Sequence, residues 1–559
     1  MLVSVDITDK SFGNATLYHD LHFAIQDGEK IGLIGRNGTG KSTLLSLISG
    51  ADKDYVGEIV TKKGITVISS RQEHYGFEDK PVLEYIQGDL PEYARLTHVI
   101  DTYPETMGDN PKRIQEFSDA LTRFGELEYY NIEDELNQAF EKYQLDPGLL
   151  HRDLGTLSGG QRRMIELIKV QRSRGQLVLI DEPTNHMDYV AKEAFLKWLN
   201  GLSESALIVT HDRDVLSAVD RIIEIRDGQC FSFRGNYAQY LRTNANQTTN
   251  QINEYDLSLR RLSNLEEDLI RFRRLKEKSR TPGTIKRFKS LEERTAKEIT
   301  GLRQADKPSF WIDQESTAGM NDKLSAAYDK HRAKNIRLSS SKPDKEKNDF
   351  GRQLLSATKL SLGYGEQPLF EDIQFMLYEG GRLRLHGRNG AGKSTIVQAI
   401  LSTAGAAPLT SKCFAGTIQV EQGLSIGIYE QELQSRYLAL NLTEAIELIL
   451  EEKDQQISQQ RVKQLMGDYL FNPQADAGRS VASLSGGQKA RLQLISMLCN
   501  HPSLLILDEP TNHLDLPSIE ELEHALDTYH GGIIYISHDS YFAQKIGGDF
   551  VMVQPTAKP

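Results

Sequence analysis

The 559-residue sequence has no long apolar runs and little cysteine. No run of about 18 apolar residues occurs, so we expect no membrane-spanning helix. Residues 1–6 do not form a basic segment followed by an apolar one, so we expect no secretory signal and a cytoplasmic location. Cys230, Cys413 and Cys499 lie far apart and form no CxxC pair. This excludes a cysteine-rich metal or cluster motif and suits a reducing compartment.

The chain has no excess of positive charge, because 78 acidic residues outnumber 66 lysines and arginines and give a formal net charge of −12. This balance argues against a nucleic-acid coat over the whole surface, although it is compatible with a local basic patch. The hydrophobic fraction of 39% and the charged fraction of 26% are typical of a globular protein. The chain is too long for one core, so we expect two large domains and a smaller part.

A phosphate-binding loop occurs twice, each time between an apolar stretch and a helix-like one. Glycines in such a loop let backbone N–H groups surround phosphate oxygens, and the lysine reaches the β- and γ-phosphates. The full match in both copies favours two ATP sites over a simple glycine-rich turn. The residues expected to hold ATP in these two phosphate loops are Gly35, Asn37, Gly38, Gly40, Lys41, Ser42 and Thr43, and Gly387, Asn389, Gly390, Gly392, Lys393, Ser394 and Thr395.

Further features recur in the same order in both halves, which predicts one domain design used twice. A Leu-Ser-Gly-Gly-Gln segment, the signature segment, precedes an apolar strand that ends in an Asp-Glu pair. The aspartate follows the signature serine by 23 residues in each half, and a histidine follows the aspartate by 30. The first half has roughly thirty extra residues, which we place between Leu90 and Asp134. The repeated positions are Ser158, Gly159, Gly160, Gln161, Asp181, Glu182 and His211, and Ser485, Gly486, Gly487, Gln488, Asp508, Glu509 and His538.

These motifs, in this order, resemble those of the ATP-binding-cassette ATPases. Two cassettes, no membrane segment and a charged helical linker are similar to the ABC-F group, whose members act on ribosomes. The resemblance implies an α/β fold with two phosphate-loop cassette domains joined by an α-helical hairpin. We expect a first cassette over 1–242, a linker over 243–349 and a second cassette over 350–559.

The residue types and the resemblance together predict the chemistry of each site. Asp181 and Asp508, with the hydroxyls of Ser42 and Ser394, are the expected Mg²⁺ ligands, and Glu182 and Glu509 are expected to polarise the attacking water. The resemblance implies that His211 and His538 contact the γ-phosphate and that the signature segment of one cassette faces the phosphate loop of the other. Four further residues complete the sites: Gln72 and Gln431, expected to sense Mg²⁺ and water, and Phe12 and Tyr364, expected to stack on adenine.

The sequence of the linker predicts a helical hairpin with a basic tip. Apolar residues recur at three- and four-residue steps on both sides of a helix breaker at residues 279–283. A solvated coiled coil is the alternative, but the cassette context favours contact with ribosomal RNA and tRNA. The first limb is expected from about Asn250 to Glu277. The expected RNA contacts are Arg271, Arg273, Arg274, Lys278, Arg280, Lys286, Arg287 and Lys289.

Two functional classes follow from the sequence. One is an ATP-dependent ribosome-binding protein, either a translation factor or a ribosome-protecting antibiotic-resistance protein, that works as a monomer without a permease. The alternative is a twin-cassette energising subunit of an importer with separate permease chains. A nucleic-acid repair ATPase is disfavoured because no zinc-binding cysteines interrupt the cassettes.

Overall fold

The computed structural model describes most of the chain and divides it into two compact units. One unit contains both cassettes, and the other begins at Ala238 and contains the linker helices. The described residues are 1–12, 15–71, 74, 76–185, 187–226, 228–278, 282–303, 351–408, 410–429, 433–469, 471–484, 486–512 and 514–556.

The first cassette is built on two sheets. A six-stranded sheet has the order β5-β6-β7-β3-β8-β9, and an antiparallel sheet has the order β2-β1-β4. The strands are β1 Val3–Phe12, β2 Ala15–Ile25, β3 Lys30–Gly35, β4 Val56–Thr61, β5 Val67–Ser69, β6 Leu177–Asp181, β7 Ser205–Val209, β8 Arg221–Arg226 and β9 Gln229–Arg234. Strands β6 and β7 are buried at every position, as expected for parallel strands covered by helices on both faces.

The first cassette also contains helices. They are α1 Lys41–Ser49, α2 Val82–Asp89, α3 Tyr93–Thr106, α4 Pro111–Glu126, α5 Ile132–Lys142, α6 Gly159–Ser173, α7 Tyr189–Gly201 and α8 Arg213–Ser217. Short 3-10 turns lie at Tyr129–Asn131, Pro147–His151 and Leu154–Thr156. Helices α3 and α4 fall in the stretch where the sequence predicts extra residues.

The linker forms two long helices, α9 Tyr237–Lys278 and α10 Pro282–Arg303. Helix α9 begins at Tyr237, so the expectation that the first limb starts near Asn250 is wrong. Neither glycine nor proline interrupts residues 237–278, and the helix therefore continues through the polar stretch that shows no apolar period. The two helices run antiparallel, because Arg261 pairs with Glu298 and Lys276 pairs with Glu292.

The second cassette repeats the design. Its parallel sheet has the order β14-β15-β16-β12-β17 and its antiparallel sheet the order β11-β10-β13. The strands are β10 Gln353–Tyr364, β11 Gln367–Tyr378, β12 Arg382–Gly387, β13 Lys412–Val420, β14 Ile426–Tyr429, β15 Leu504–Asp508, β16 Gly532–Ile536 and β17 Asp549–Val553. The helices are α11 Lys393–Thr403, α12 Ser435–Leu438, α13 Leu442–Glu452, α14 Gln459–Asp468, α15 Gly486–Leu498, α16 Leu516–Asp527 and α17 Ser540–Ile546, with a 3-10 turn at Val481–Ser483.

The fold class predicted from the sequence, a mixed α/β chain with two cassettes, is confirmed. In each cassette the phosphate loop, the Asp-Glu pair and the histidine follow the carboxyl ends of neighbouring parallel strands. This edge of an α/β sheet is where ligands bind. Across the described ranges, no helix has the length and apolar character needed to cross a membrane.

Candidate active sites

Each phosphate loop places a buried lysine over its own backbone. The Lys41 ammonium donates to the carbonyls of Gly35 at 2.8 Å and Arg36 at 3.1 Å. Lys393 makes the matching bonds to Gly387 and Arg388 at 2.7 and 2.9 Å. Burial lowers the pKa of both lysines. A buried ammonium is costly without a counter-charge, so each site favours an anionic ligand such as a phosphate.

Two glycines fix the shape of these loops. Gly40 and Gly392 precede the first helical residue with φ of 92° and 98°, a left-handed conformation that glycine adopts without strain. A Cβ at Gly40 would collide with Tyr18 and Leu17, and one at Gly392 would collide with Phe370. Both the backbone angle and the packing therefore require glycine here, as the motif predicts.

A hydroxyl and a carboxylate meet beside each loop. Ser394 Oγ donates to Asp508 Oδ2 at 3.2 Å, and Ser42 hydrogen-bonds to Asp181 in the same way. Burial raises the pKa of both aspartates, which indicates that a cation would favour their charged form. Hydroxyl and carboxylate oxygens are the ligands that Mg²⁺ prefers, so these four residues fit the predicted metal site.

The two glutamates have an unusual backbone. Glu182 and Glu509 each have a φ of 45°, in the left-handed region that non-glycine residues rarely adopt. Their N–H groups donate to the neighbouring strand, Glu182 to Val209 O at 2.8 Å and Glu509 to Ile536 O at 2.9 Å. Such strain persists where the surrounding structure holds it, and here it sets where each carboxylate leaves the strand end.

Each glutamate lies beside the histidine that follows it in the same cassette. Glu182 Oε1 is 3.5 Å from His211 Nε2, and Glu509 Oε1 is 3.3 Å from His538 Nε2. Burial raises the pKa of Glu182 to about 8 and that of Glu509 to about 7. Burial also lowers the pKa of both histidines to about 3, helped by the adjacent Lys41 or Lys393. The imidazoles are therefore neutral at pH 7, while the carboxyls titrate near it.

The histidine rings have unused hydrogen-bonding groups. The ring nitrogens of His211 and His538 are buried, and apart from the glutamate oxygen near each Nε2 no hydrogen-bond partner for them occurs among the described residues. A buried polar group without a partner is costly and is typical of a ligand-binding position. A phosphate oxygen would satisfy one nitrogen of each ring.

The first signature segment caps helix α6. Ser158 Oγ accepts from the Gln161 N–H at 3.3 Å, and the Ser158 N–H donates to Gln161 Oε1 at 3.0 Å. This capping box occupies the Gln161 side chain, so the free N–H groups of this helix end belong to the first turn, at Gly159 and Gly160. Gly159 lines a cavity of about 660 Å³ together with both glutamates and both histidines.

Some predicted positions stay untested. Gln72, Gln431 and Ser485 lie outside the described residues, as does the side chain of Phe12. Gly486 and Gly487 are described only as the first backbone residues of α15. Tyr364 is described, and its side chain is 52% exposed at the end of β10. Its proposed stacking on adenine remains a prediction.

The cassettes contact each other through the segments that follow the Asp-Glu pairs. Asp515 Oδ2 accepts from the Asn37 N–H at 3.1 Å, and Asp188 Oδ2 accepts from the Asn389 N–H at 3.2 Å. The other carboxylate oxygen of each aspartate caps the helix that follows. Asp188 Oδ1 accepts from the Ala191 N–H, and Asp515 Oδ1 accepts from the Ser518 N–H. Each phosphate loop therefore meets the opposite cassette. Asp188 and Asp515, which follow the Asp-Glu pairs by six residues, therefore lie at the interface between the cassettes.

The interface also contains contacts that sequence reasoning missed. Arg213 and Glu523 form a buried ion pair at 2.8 Å, and Lys192 donates to the His538 carbonyl at 3.3 Å. The second cassette cannot make the same two contacts with the first. Its residues at the positions equivalent to Arg213 and Lys192 are Ser540 and Ile519. A residue-by-residue comparison of the two halves would have flagged these charged positions.

The linker helices expose cations near their facing ends. The rings of Phe272 and Phe288 stack at 6.5 Å between the helices. The expected RNA contacts that are exposed are Arg271, Arg274, Lys286, Arg287 and Lys289. Arg280 and the side chains of Arg273 and Lys278 lie outside the described residues.

Comparison with known proteins agrees with this arrangement. A family model described as ABC transporter matches residues 18–185 and 370–512, and a second with the same description matches 223–310. The chain is 30% identical over 560 residues to the ATP-binding protein YdiF of Bacillus subtilis (strain 168), covering 98% of this chain and 79% of YdiF. It is 26% identical over 566 residues to ABC transporter F family member 5 of Arabidopsis thaliana, and the match covers 99% of this chain and 75% of that protein.

The solved structure of the archaeal ribosome recycling factor aABCE1 superposes with a TM-score of 0.54 at 16% identity, covering 98% of this chain and 87% of that one. At this identity the likeness concerns the fold alone. Both phosphate loops and both Asp-Glu pairs fall within the matched cassette residues.

Proposed function

The chain belongs to the ABC-F family of twin-cassette ATPases, and from this we propose that it is an ATP-dependent ribosome-binding protein. Hydrolysis of ATP is the activity of its two cassettes. In the proposal the cassettes close on ATP, the closed protein acts near the tRNA sites through its linker, and it leaves after hydrolysis. The observation that carries the ribosomal part is the cluster of exposed cations on the linker helices of a chain whose net charge is −12.

Closure would use groups from both cassettes at each ATP. Lys393 would work with Ser158 and Gly160, and Lys41 with Ser485 and Gly487. The aspartates that already join each phosphate loop to the opposite cassette support this pairing. ATP bound between the cassettes would then stabilise the closed state, because each γ-phosphate would be held by two cassettes at once.

Hydrolysis would use the geometry beside each loop. Glu182 and Glu509 would accept a proton from the attacking water while the neutral His211 and His538 hold the γ-phosphate. Mg²⁺, held by Ser42 and Asp181 or by Ser394 and Asp508, would neutralise charge on the phosphates. Because all these groups are present in both cassettes, we propose two sites that can hydrolyse ATP.

The basic cluster on the linker would contact RNA. Arg271, Arg274 and Arg287 are exposed, and a compact group of such cations binds phosphates by releasing counterions. A solved structure with a similar fold is that of an archaeal ribosome recycling factor, which supports the ribosomal proposal. The proposed partners are ribosomal RNA and tRNA, and the proposed location is the cytoplasm. In this proposal the protein works as a monomer without a permease.

The chain could serve as a translation factor or protect ribosomes against antibiotics, and both belong to the proposal. An importer subunit is the remaining alternative. An energising subunit has no use for a long basic hairpin, which disfavours this alternative.

Fractionation of cells tests the ribosomal proposal against the importer alternative. The variant Glu182→Gln/Glu509→Gln should bind ATP without hydrolysing it and should sediment with ribosomes. The matched control Lys41→Ala/Lys393→Ala, which cannot hold the γ-phosphate, should stay unbound. If the double glutamine variant sediments with membranes and never with ribosomes, the importer reading replaces the ribosomal one.

A further inference from the structure

One face of helix α7 in the first cassette contacts the second cassette beside its ATP site. Tyr189 and Lys192 are three residues apart on this helix and therefore lie on the same side of it. The ring of Tyr189 packs against that of His386, with 4.7 Å between the ring centroids. Lys192 Nζ donates to the carbonyl oxygen of His538 at 3.3 Å. Because His386 directly precedes the second phosphate loop, α7 contacts two segments of the second ATP site.

Two carboxylates of the first cassette fix the Lys192 side chain. Lys192 is 6% exposed, and its Nζ lies 2.8 Å from Asp212 Oδ2 and 2.6 Å from Asp214 Oδ2. Burial alone would lower the pKa of Lys192, but the nearby carboxylates raise it, Asp212 most of all. The ammonium therefore stays charged. Its three N–H groups have three acceptors, which are the two carboxylates and the His538 carbonyl.

The bond from Lys192 acts on the backbone that carries the imidazole of the second site. The His538 N–H donates to Glu509 Oε2 at 3.3 Å, and the His538 carbonyl accepts from Lys192 on the other side of the same Cα. With both backbone groups held, the direction in which the imidazole leaves the chain is set relative to the glutamate. One of these bonds comes from the second cassette and the other from the first, so the geometry of His538 depends on both.

The second cassette has an apolar residue at the position equivalent to Lys192. That residue is Ile519, which is 2% exposed and has no hydrogen-bond donor in its side chain. The second cassette therefore cannot offer the same bond to the His211 carbonyl. A buried isoleucine at this position also means that the fold does not require a cation there. Since buried ion pairs are often no more stabilising than well-packed apolar residues, stability alone does not account for Lys192, and its contact with His538 favours a positioning role.

We propose that Lys192 is a positioning residue for ATP hydrolysis at the second site, where it holds the His538 backbone from across the cassette interface. The consequence is that the two ATP sites differ, because a lysine of the first cassette holds His538 and the second cassette supplies no such lysine to His211. The inference rests on the ATPase activity and on the role proposed for His538. It is independent of ribosome binding.

Proteins with a single working site test this role. Glu182→Gln confines hydrolysis to the second site, and Glu509→Gln confines it to the first. Lys192→Met keeps the apolar stem and removes the ammonium. Added to Glu182→Gln, it should lower kcat roughly tenfold, since small misplacements of catalytic groups have effects of this size or larger. Added to Glu509→Gln, it should leave kcat within about twofold. The KM for ATP should stay within about threefold in both proteins, because the phosphate loops are untouched.

A double-mutant cycle shows whether Lys192 acts through the imidazole. In Glu182→Gln protein that also carries His538→Ala, Lys192→Met should cost less than about twofold. A full loss that persists without the imidazole would overturn the positioning role. Equal losses from Lys192→Met at both sites, or a lower ATP affinity with unchanged kcat, would indicate a contact that only joins the cassettes and would overturn it too. If His538→Ala itself has no effect at the second site, the premise and the inference fall together, while the ATPase activity and ribosome binding stand.

Two matched variants control for the helix position and for the interface. Ile519→Met is a volume-conserving change at the equivalent position of the second cassette. Ser217→Ala removes a hydrogen bond of 3.0 Å to the Tyr541 hydroxyl, across the same interface but away from both histidines. Each should leave kcat within about twofold in both single-site proteins.

A second variant covers the case in which Lys192→Met does not fold because two carboxylates have lost their cation. Lys192→Met/Asp214→Asn removes one of those charges as well, and the amide oxygen can still accept from the Ser540 hydroxyl, which donates to Asp214 at 2.6 Å. It should show the same loss at the second site and the same dependence on His538. A double variant that folds normally, as judged by circular dichroism, and keeps full activity at the second site would contradict the proposal.

Discussion

At the scale of single residues, the glutamate–histidine pairs are the most informative feature of the molecule. The backbone at Glu182 and Glu509 is left-handed in both cassettes, and each carboxyl lies within 3.5 Å of its histidine. The sequence predicts these four residues as candidates because the aspartate-to-histidine spacing is the same in the two halves, but it does not predict that they pair. It does not predict the strained φ, because that angle depends on hydrogen bonds to a neighbouring strand.

Replacing Glu182 and Glu509 with glutamine should lower ATP hydrolysis by roughly a hundred- to ten-thousandfold, the range typical of a lost acid–base group. Binding of ATP should persist because the lysines and hydroxyls are unchanged. Each single variant should retain activity at the other site. Steady-state hydrolysis and equilibrium nucleotide binding measure the two effects separately, and normal hydrolysis by the double variant would refute the catalytic assignment.

The raised pKa values of the two glutamates predict how activity depends on pH. A general base works only when deprotonated, so kcat should fall as pH drops through about 8 and about 7, the values near which Glu182 and Glu509 titrate. The histidines, with pKa values of about 3, should add no inflection above pH 5. The measurement is kcat at saturating ATP from pH 5.5 to 9. A flat profile over this range would contradict the assignment of these carboxyls as bases.

At the scale of structural elements, the linker shows both the reach and the limit of sequence reasoning. The hairpin and its basic end were predictable because apolar periodicity and charge clustering are local. The start of α9 at Tyr237 was not predictable in this way, because the first part of the helix is polar and lacks the apolar periodicity that marks a helix in sequence. The buried contacts of Glu166 and Lys169 with Tyr85 and Asp89 also escaped prediction, since these residues lie on two separate helices that only the fold brings together.

Removal of linker cations should weaken RNA binding without affecting the ATP sites. The change Lys286→Ala/Arg287→Ala/Lys289→Ala should lower ribosome affinity and reduce its dependence on salt, as phosphate contacts are lost. Basal ATPase should stay within about twofold, since no linker cation belongs to the catalytic groups. Ribosome binding measured at several salt concentrations reads out the effect. The matched control Arg294→Ala/Lys297→Ala removes exposed cations farther along α10 and should change little. Equal losses in both variants would argue against a specific basic end.

At the scale of the whole molecule, two nearly equal cassettes meet through an interface that is only partly symmetric. The aspartate contacts to the phosphate loops occur in both directions. The Arg213–Glu523 pair and the Lys192 contact occur in one direction only. Repeated motifs predict the symmetric part, whereas the asymmetric part arises from single differences between the halves and needs three-dimensional contacts to be found.

The symmetric contacts should couple ATP binding to closure. Asp188→Asn removes the charge that receives the Asn389 N–H, and a hydrogen bond to a charged group contributes about 1.5 kcal/mol or more. ATP affinity should therefore fall roughly tenfold. Asn110→Ala, which removes a helix cap in the first cassette away from the interface, should leave affinity within about twofold and controls for lost capping. If the ATP affinity of Asp188→Asn is unchanged, the contact between Asp188 and the Asn389 N–H does not contribute to closure.

Peptide synthesis on purified ribosomes is the most direct test of the central claim, that ATP-closed cassettes hold this protein on the ribosome. The Glu182→Gln/Glu509→Gln protein should remain bound in ATP, inhibit synthesis as it occupies the ribosomes, and release them when ATP is replaced by ADP. Wild-type protein should bind transiently and inhibit far less. A double variant that binds ATP, fails to hydrolyse it and leaves both ribosome occupancy and synthesis unchanged would contradict the proposed function.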